Sequence, residues 1–160
     1  MTAYQFLASN APLKEVKNEK VEIISAKEAI KRKIEINLDW LNSEDLESDE
    51  KIILIAQSED DLDEIEITVD VDGNFLNYTK KLYTASLSWH YSENRALELI
   101  NYIKEHLNEV TEIELWEIWA DEITEPLIKR CSLSSLSTKD IEDIFGQEGF
   151  EVPKCLIVEK

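Results

Sequence analysis

Three glycines and three prolines are all that 160 residues contain, and this scarcity excludes much. A backbone cradle for phosphate needs clustered glycines, so no glycine-rich phosphate loop is present. No stretch has the composition of a flexible linker, and the length predicts one globular domain over 1–160. Two cysteines, Cys131 and Cys155, make no disulfide framework and predict reduced thiols. His90 and His106 are the only imidazoles. Without Cys-x₂-Cys or His-x₃-His spacing the four residues form no zinc-finger pattern. Neither a G-x-S-x-G elbow nor H-E-x-x-H occurs. Apolar runs are short: Ile52–Ala56 falls far below the ~20 residues needed to span a bilayer. The N-terminal MTAYQFLASN lacks the basic start of a secretory signal. Cytoplasmic localisation is the expectation.

Acid is what the chain has in excess: 35 acidic against 17 basic residues, a formal charge of −18. Such a surface is repelled by nucleic-acid phosphates and anionic membranes and attracted to cationic proteins. Solubility is the plain use of that charge. A hydrophobic content of 43% argues for a packed core and against disorder.

Periodicity is clearest between Thr79 and Glu122. Tyr83, Ala85, Leu87, Trp89 and Tyr91 alternate with polar residues, as a half-buried strand requires. Ser92 supplies a cap, and Ala96, Ile100, Ile103, Leu107 and Val110, widened by Leu97 and Leu99, then form a helical stripe. A further strand follows with Ile113 and Leu115 inward. If the two strands lie parallel in one sheet, the helix is a crossover.

Elsewhere, strands are predicted at Tyr4–Ser9, Val21–Ser25, Lys51–Gln57, Ile65–Val71 and Lys154–Glu159, with extended chain over Leu127–Leu136. Lys51–Gln57 is apolar enough to be covered on both faces. Ser25-Ala-Lys-Glu28 has capping-box spacing for a helix to about Lys33, and Ser137-Thr138 caps another over Lys139–Phe145, closed by a left-handed Gly146. Residues 34–41 fit strand and helix alike and are taken as extended chain. Asn42–Glu50 reads as an acidic loop and Asp72-Gly73 as a tight hairpin turn. The fold class is therefore α+β, a single domain. A mixed, largely antiparallel sheet carries one main helix, about 92–110, on one face, with short helices near 26–33 and 139–145.

Candidate chemistry is sparse. Asp70-Val-Asp72-Gly73-Asn74 has the look of a calcium loop, but its first and twelfth positions are Thr68 and Thr79, where carboxylates are needed. Glu44–Glu50 and Glu59–Glu66 offer oxygens to a divalent ion, yet no positioned glycine or aromatic frames them. Trp116-Glu-Ile-Trp119 is the unusual element. Strict alternation puts Trp116 outward with Glu112 and Glu114, and places Trp119 and Glu117 on the buried side; a bulge or strand end near Trp116 is expected to resolve this. One indole is expected to be partly exposed among Glu114, Glu117, Asp121 and Glu122. Aromatic surface ringed by acid suits a basic partner.

Glu114-Leu-Trp116, Ile118-Trp119, Arg130-Cys131 and the Ser/Thr-capped acidic helix after them carry a resemblance. Over its C-terminal half the chain resembles a family of small uncharacterised acidic cytoplasmic proteins of Gram-positive bacteria. The resemblance implies a bacterial cytoplasmic setting and no particular chemistry. Three readings follow. The first is a non-catalytic acidic interaction protein docking a basic protein through Trp116, Trp119, Glu114, Glu117, Asp121 and Glu122, in the manner of an immunity-type inhibitor, with no cofactor or metal. The second is a metal-dependent hydrolase or other enzyme using the acid clusters with His90. The third is a structural subunit that self-associates through a sheet edge or the Trp116/Trp119 patch.

Overall fold

A computed structural model describes residues 3–35, 39–120, 124–147 and 152–160. The chain is α+β, and its contacts fall into two compact units: Asn18–Asp63, and Met1–Lys17 with Glu64–Lys160.

The larger unit is built on a six-stranded sheet. In chain order its strands are β1 (Ala3–Ser9), β4 (Glu66–Val69), β5 (Tyr83–Ser88), β6 (Glu112–Trp119), β7 (Leu127–Ser132) and β8 (Lys154–Glu159), and across the sheet they run β4-β5-β1-β6-β8-β7. All pairings are antiparallel except β7 with β8. Both β5 and β6 pair antiparallel with β1. They are thus parallel to each other with β1 between them, and α3 (Glu93–His106) joins them.

Period-two alternation sorts the sheet into two faces. Leu7, Ala85, Leu87, Ile113, Leu115, Leu156 and Val158 share one core with Ala96, Leu99, Ile103 and Leu107 of α3 and its C-terminus, and with Ile141 and Ile144 of α4 (Thr138–Phe145). Ser92 starts α3 by accepting the Arg95 N–H at 3.2 Å. The expected stripe is therefore the packing stripe, although Leu97 is exposed. On the opposite face Phe6, Ala8, Trp116, Ile118, Cys155 and Ile157 are buried under Phe75 and Tyr78.

That second core corrects the sequence reading at β6. Alternation runs unbroken through Trp116, with no bulge in its pairing to β1 or β8; the outward face is simply not solvent. The segment after Gly73 lies over it. The connection is also not the tight two-residue turn expected at Asp72-Gly73. β4 and β5 are joined through residues 70–82, held by the Asp70 carboxylate, which accepts the Phe75 N–H, the Asn74 amide and the Thr84 hydroxyl. Those donors hold Asp70 below its usual pKa despite partial burial. Gly73 keeps a positive φ of 70°. Leu133–Ser135 leaves the expected extended path as a short 3₁₀ turn. Gly146 ends α4 with φ −89°, right-handed, its N–H on Glu142 O.

The smaller unit pairs β2 (Val21–Ser25) with β3 (Lys51–Ala56) in an antiparallel two-stranded sheet. Against one face pack α1 (Ala26–Lys31) and neighbouring apolar residues: Ile24, Ala26, Ala29 and Ile53 are buried, with Ile55, Leu41 and Leu46 around them. The Ser25 hydroxyl accepts the Glu28 N–H at 3.1 Å, the capping its sequence predicts. Two expectations change here. Asn42–Glu50 contains a helical turn, α2 (Ser43–Glu47), because Asn42 and Asp45 cap each other reciprocally. β3 is not covered throughout on both faces, since Leu54 is exposed. Of the ambiguous 34–41 stretch, residues 36–38 lie outside the described residues. Among the described residues no helix is long and apolar enough to cross a membrane.

Candidate functional site

The tryptophan–carboxylate group expected to meet a partner is distributed by the fold as follows. Phe75, Phe6 and Trp116 form a parallel aromatic stack, with centroids 4.4 and 5.7 Å apart. Trp116 is buried, and its Nε1–H points at Glu114 Oε1 at 3.4 Å. Glu114, also buried, accepts the Thr79 hydroxyl at 2.6 Å. On the other face Glu117 is 4% exposed. It accepts the Gln5 amide at 3.0 Å, and Gln5 in turn accepts Trp89 Nε1–H at 2.8 Å. Its second oxygen, Oε2, has no hydrogen-bond partner, and burial pushes its pKa up. Trp119 is half-buried, and Asp121 and Glu122 lie outside the described residues. Of the pair, Trp119 is the more accessible indole, half-buried rather than exposed. Trp116, Glu114 and Glu117 are held within the sheet, where any contact with a partner would require the fold to open.

Of the two histidines, His90 lies just past β5, exposed, its carbonyl accepting from Arg95. His106, unremarkable in sequence, is the more informative. It ends α3 and is buried against Ser9, with Ser9 Oγ 2.6 Å from Nε2. Ser9 faces α3 because it shares the parity of Leu7 on β1. The pair has the atoms of a nucleophile and a base, but Ser9 is 0% exposed and also accepts the Ala11 N–H at 3.1 Å. No substrate carbon can reach that oxygen, so the contact serves as a latch between strand and helix. Burial lowers the His106 pKa, with Glu109 opposing that effect. Ninety-seven residues separate the two partners, and no local pattern in the sequence announces them.

The acid clusters do not converge. Asp45 is spent on the α2 cap, Asp49 reaches Lys27 at 3.7 Å, and Asp61 accepts the Ser58 N–H within the 3₁₀ turn Glu59–Asp63. Among the described residues no three carboxylate, imidazole or thiol side chains are grouped to hold a metal.

A different surface stands out on the Asn18–Asp63 unit. Val21 pairs with Ala56 and Ile23 with Leu54, so these four share the face opposite Ile24 and Ile53. Ile23 is 52% exposed and Leu54 54%. The Glu59–Asp63 turn follows β3 directly and packs on it, which sets exposed Glu59, Asp60 and Leu62 beside the Val21–Ala56 end. Asn18 anchors this turn through a 2.6 Å bond to the Asp61 carbonyl. Trp40 on the same unit is 60% exposed. Neither sequence pattern nor composition singled out this face, because Lys51–Gln57 reads as a fully covered strand. Compared with protein-family models, curated proteins and solved structures, the chain matches none.

Proposed function

We propose that the protein is a non-catalytic binding protein that docks a basic protein partner, and that the outer face of the β2–β3 sheet is where the contact is made. What carries the reading is the cross-strand pair Ile23–Leu54, more than half open to solvent, with exposed Glu59 and Asp60 in the turn that packs on the same strand. An apolar centre with acid on the adjoining turn suits a partner with an apolar anchor ringed by lysine or arginine. A second copy of this chain suits it less, since two surfaces of a −18 protein repel. The closed Ser9–His106 contact favours binding over turnover. The bacterial cytoplasmic setting is part of the same reading and rests on the resemblance of the C-terminal half.

The test begins with a partner captured from native lysate at low salt, purified, and measured kinetically. Association should slow as the Debye length falls from ~30 Å at 0.01 M to ~8 Å at 0.15 M. Ile23→Asn with Leu54→Asn should chiefly raise dissociation, and Glu59→Lys with Asp60→Lys should chiefly slow association. A partner indifferent to salt and to both pairs of changes would overturn the proposal. Sedimentation showing a dimer that the Ile23/Leu54 variant loses would replace it with self-association. Metal-dependent hydrolysis abolished by His90→Ala would replace it with the enzyme reading.

A further inference from the structure

A cavity of about 260 Å³ opens where α3 ends against the chain leaving β1, lined by Pro12, Leu13, Lys14, Tyr102, Glu105, His106 and Glu109. This is just below the usual ~300–1,000 Å³ of small-molecule sites, so the occupant must be compact. The Tyr102 and His106 rings lie parallel, 2° apart in plane with centroids at 6.5 Å. Tyr102 is fixed by donating its hydroxyl to the Lys14 carbonyl at 2.7 Å, and burial pushes its phenol up to about 12, so the ring is neutral.

His106 is fixed as well, and its proton can be placed. Ser9 is fully buried and already accepts the Ala11 N–H. Among the described hydrogen bonds the one acceptor available to its own hydroxyl is His106 Nε2. The hydroxyl therefore donates to Nε2, and the neutral ring carries its proton on Nδ1. Nδ1–H is the nitrogen left to a ligand in the cavity that the ring lines.

The charges give the ligand its sign. Glu105 and Glu109 stand on the wall against the single cation Lys14, and the negative end of the α3 dipole terminates there. The net charge of the chain acts in the same direction. We infer that this cavity is a binding site for a compact organic ammonium ion bearing a hydrogen-bond acceptor, of the amino-alcohol class. Its ammonium lies toward Glu105 and Glu109, its carbon body lies against Tyr102, Pro12 and Leu13, and its oxygen accepts from His106 Nδ1–H. The site is separate from the docking face proposed above and stands or falls independently of it.

The probe is 2-amino-1-phenylethanol, with mandelate as the anion of similar shape, titrated to millimolar concentration into the full chain. Ring resonances of His106 and Tyr102 are read by NMR, with exposed His90 as the internal control. The amine should shift the His106 and Tyr102 signals saturably while leaving His90 in place, and mandelate should not. Glu105→Gln with Glu109→Gln, both surface changes that leave the core untouched, should weaken binding roughly threefold to tenfold. The inference is overturned by the lack of a saturable shift, by equal response to mandelate, or by an unchanged affinity in the double variant.

Discussion

At the scale of single residues, two buried titratable groups pull stability in opposite directions with pH. Glu117 has a folded pKa above its unfolded value. The folded state therefore prefers it protonated, and its cost is fully present once pH exceeds the folded pKa. Glu117→Gln is expected to raise Tm more at pH 7 than at pH 4, because burial disfavours the ionised carboxylate with its orphaned Oε2. An equal gain at both pH values would mean that packing, not ionisation, is responsible. His106 has its folded pKa depressed by burial. The unfolded chain takes up that proton first, so stability falls as pH drops through the ordinary imidazole value toward the folded one. Ser9→Ala removes the partner of a buried nitrogen, an unsatisfied group worth about 1–3 kcal/mol. Denaturant melts should show that loss, together with an altered His106 titration by NMR.

At the scale of elements, α3 is the part whose packing its sequence describes best. Ile103 is completely buried between α3 and the sheet, and Ile103→Ala should cost about 2–5 kcal/mol in denaturant melts. A loss under ~0.5 kcal/mol, the norm for surface changes, would contradict the packing described. The 70–82 connection depends instead on one carboxylate. Asp70→Ala strips three donors of their acceptor and should unpin Phe75 from Phe6, which near-UV circular dichroism of the aromatic stack would report. The sheet edges differ too. β4 carries an antiparallel bridge from Val16 to Ile67, while β7 is terminal in the strand order. β7 presents Lys129 and Arg130, tied to Asp140 and Glu159. In antiparallel self-pairing about the strand centre Lys129 would lie opposite Arg130 of a second copy, cation against cation, which disfavours a dimer through this edge.

For the molecule as a whole, the two units have different resources. Asn18–Asp63 has a two-stranded sheet and helices of five and six residues, whereas the other unit has a six-stranded sheet with a buried apolar cluster on each face. Short helices and a lone two-stranded sheet are marginal by themselves. Backbone amides of β2 and β3 should therefore exchange with solvent faster than those of β1 and β6, measured under native conditions. Equal protection would show the two units opening together. A docking face on the less protected unit would also become better ordered when occupied, so exchange from β2 and β3 should slow once the partner is bound.

The sequence by itself determined what rests on neighbours in the chain: the α3 stripe with its Ser92 cap, the Ser25 cap, the alternation of β5 and β6, and the charge. These follow from periodicity and capping within a few residues, where backbone geometry sets direction. Only the tertiary structure decided what covers each face. Trp116 alternates outward as its sequence predicts and is still buried, because residues 75–78, nearly forty positions earlier, close over it. Ile53–Leu54 reads as doubly covered and is not, because β3 found one strand partner and one layer of helix. His106 gains its meaning from Ser9, a residue no local pattern connects to it. Burial is a property of pairs distant in the chain, and a periodic sequence specifies which side a residue faces without specifying what lies there.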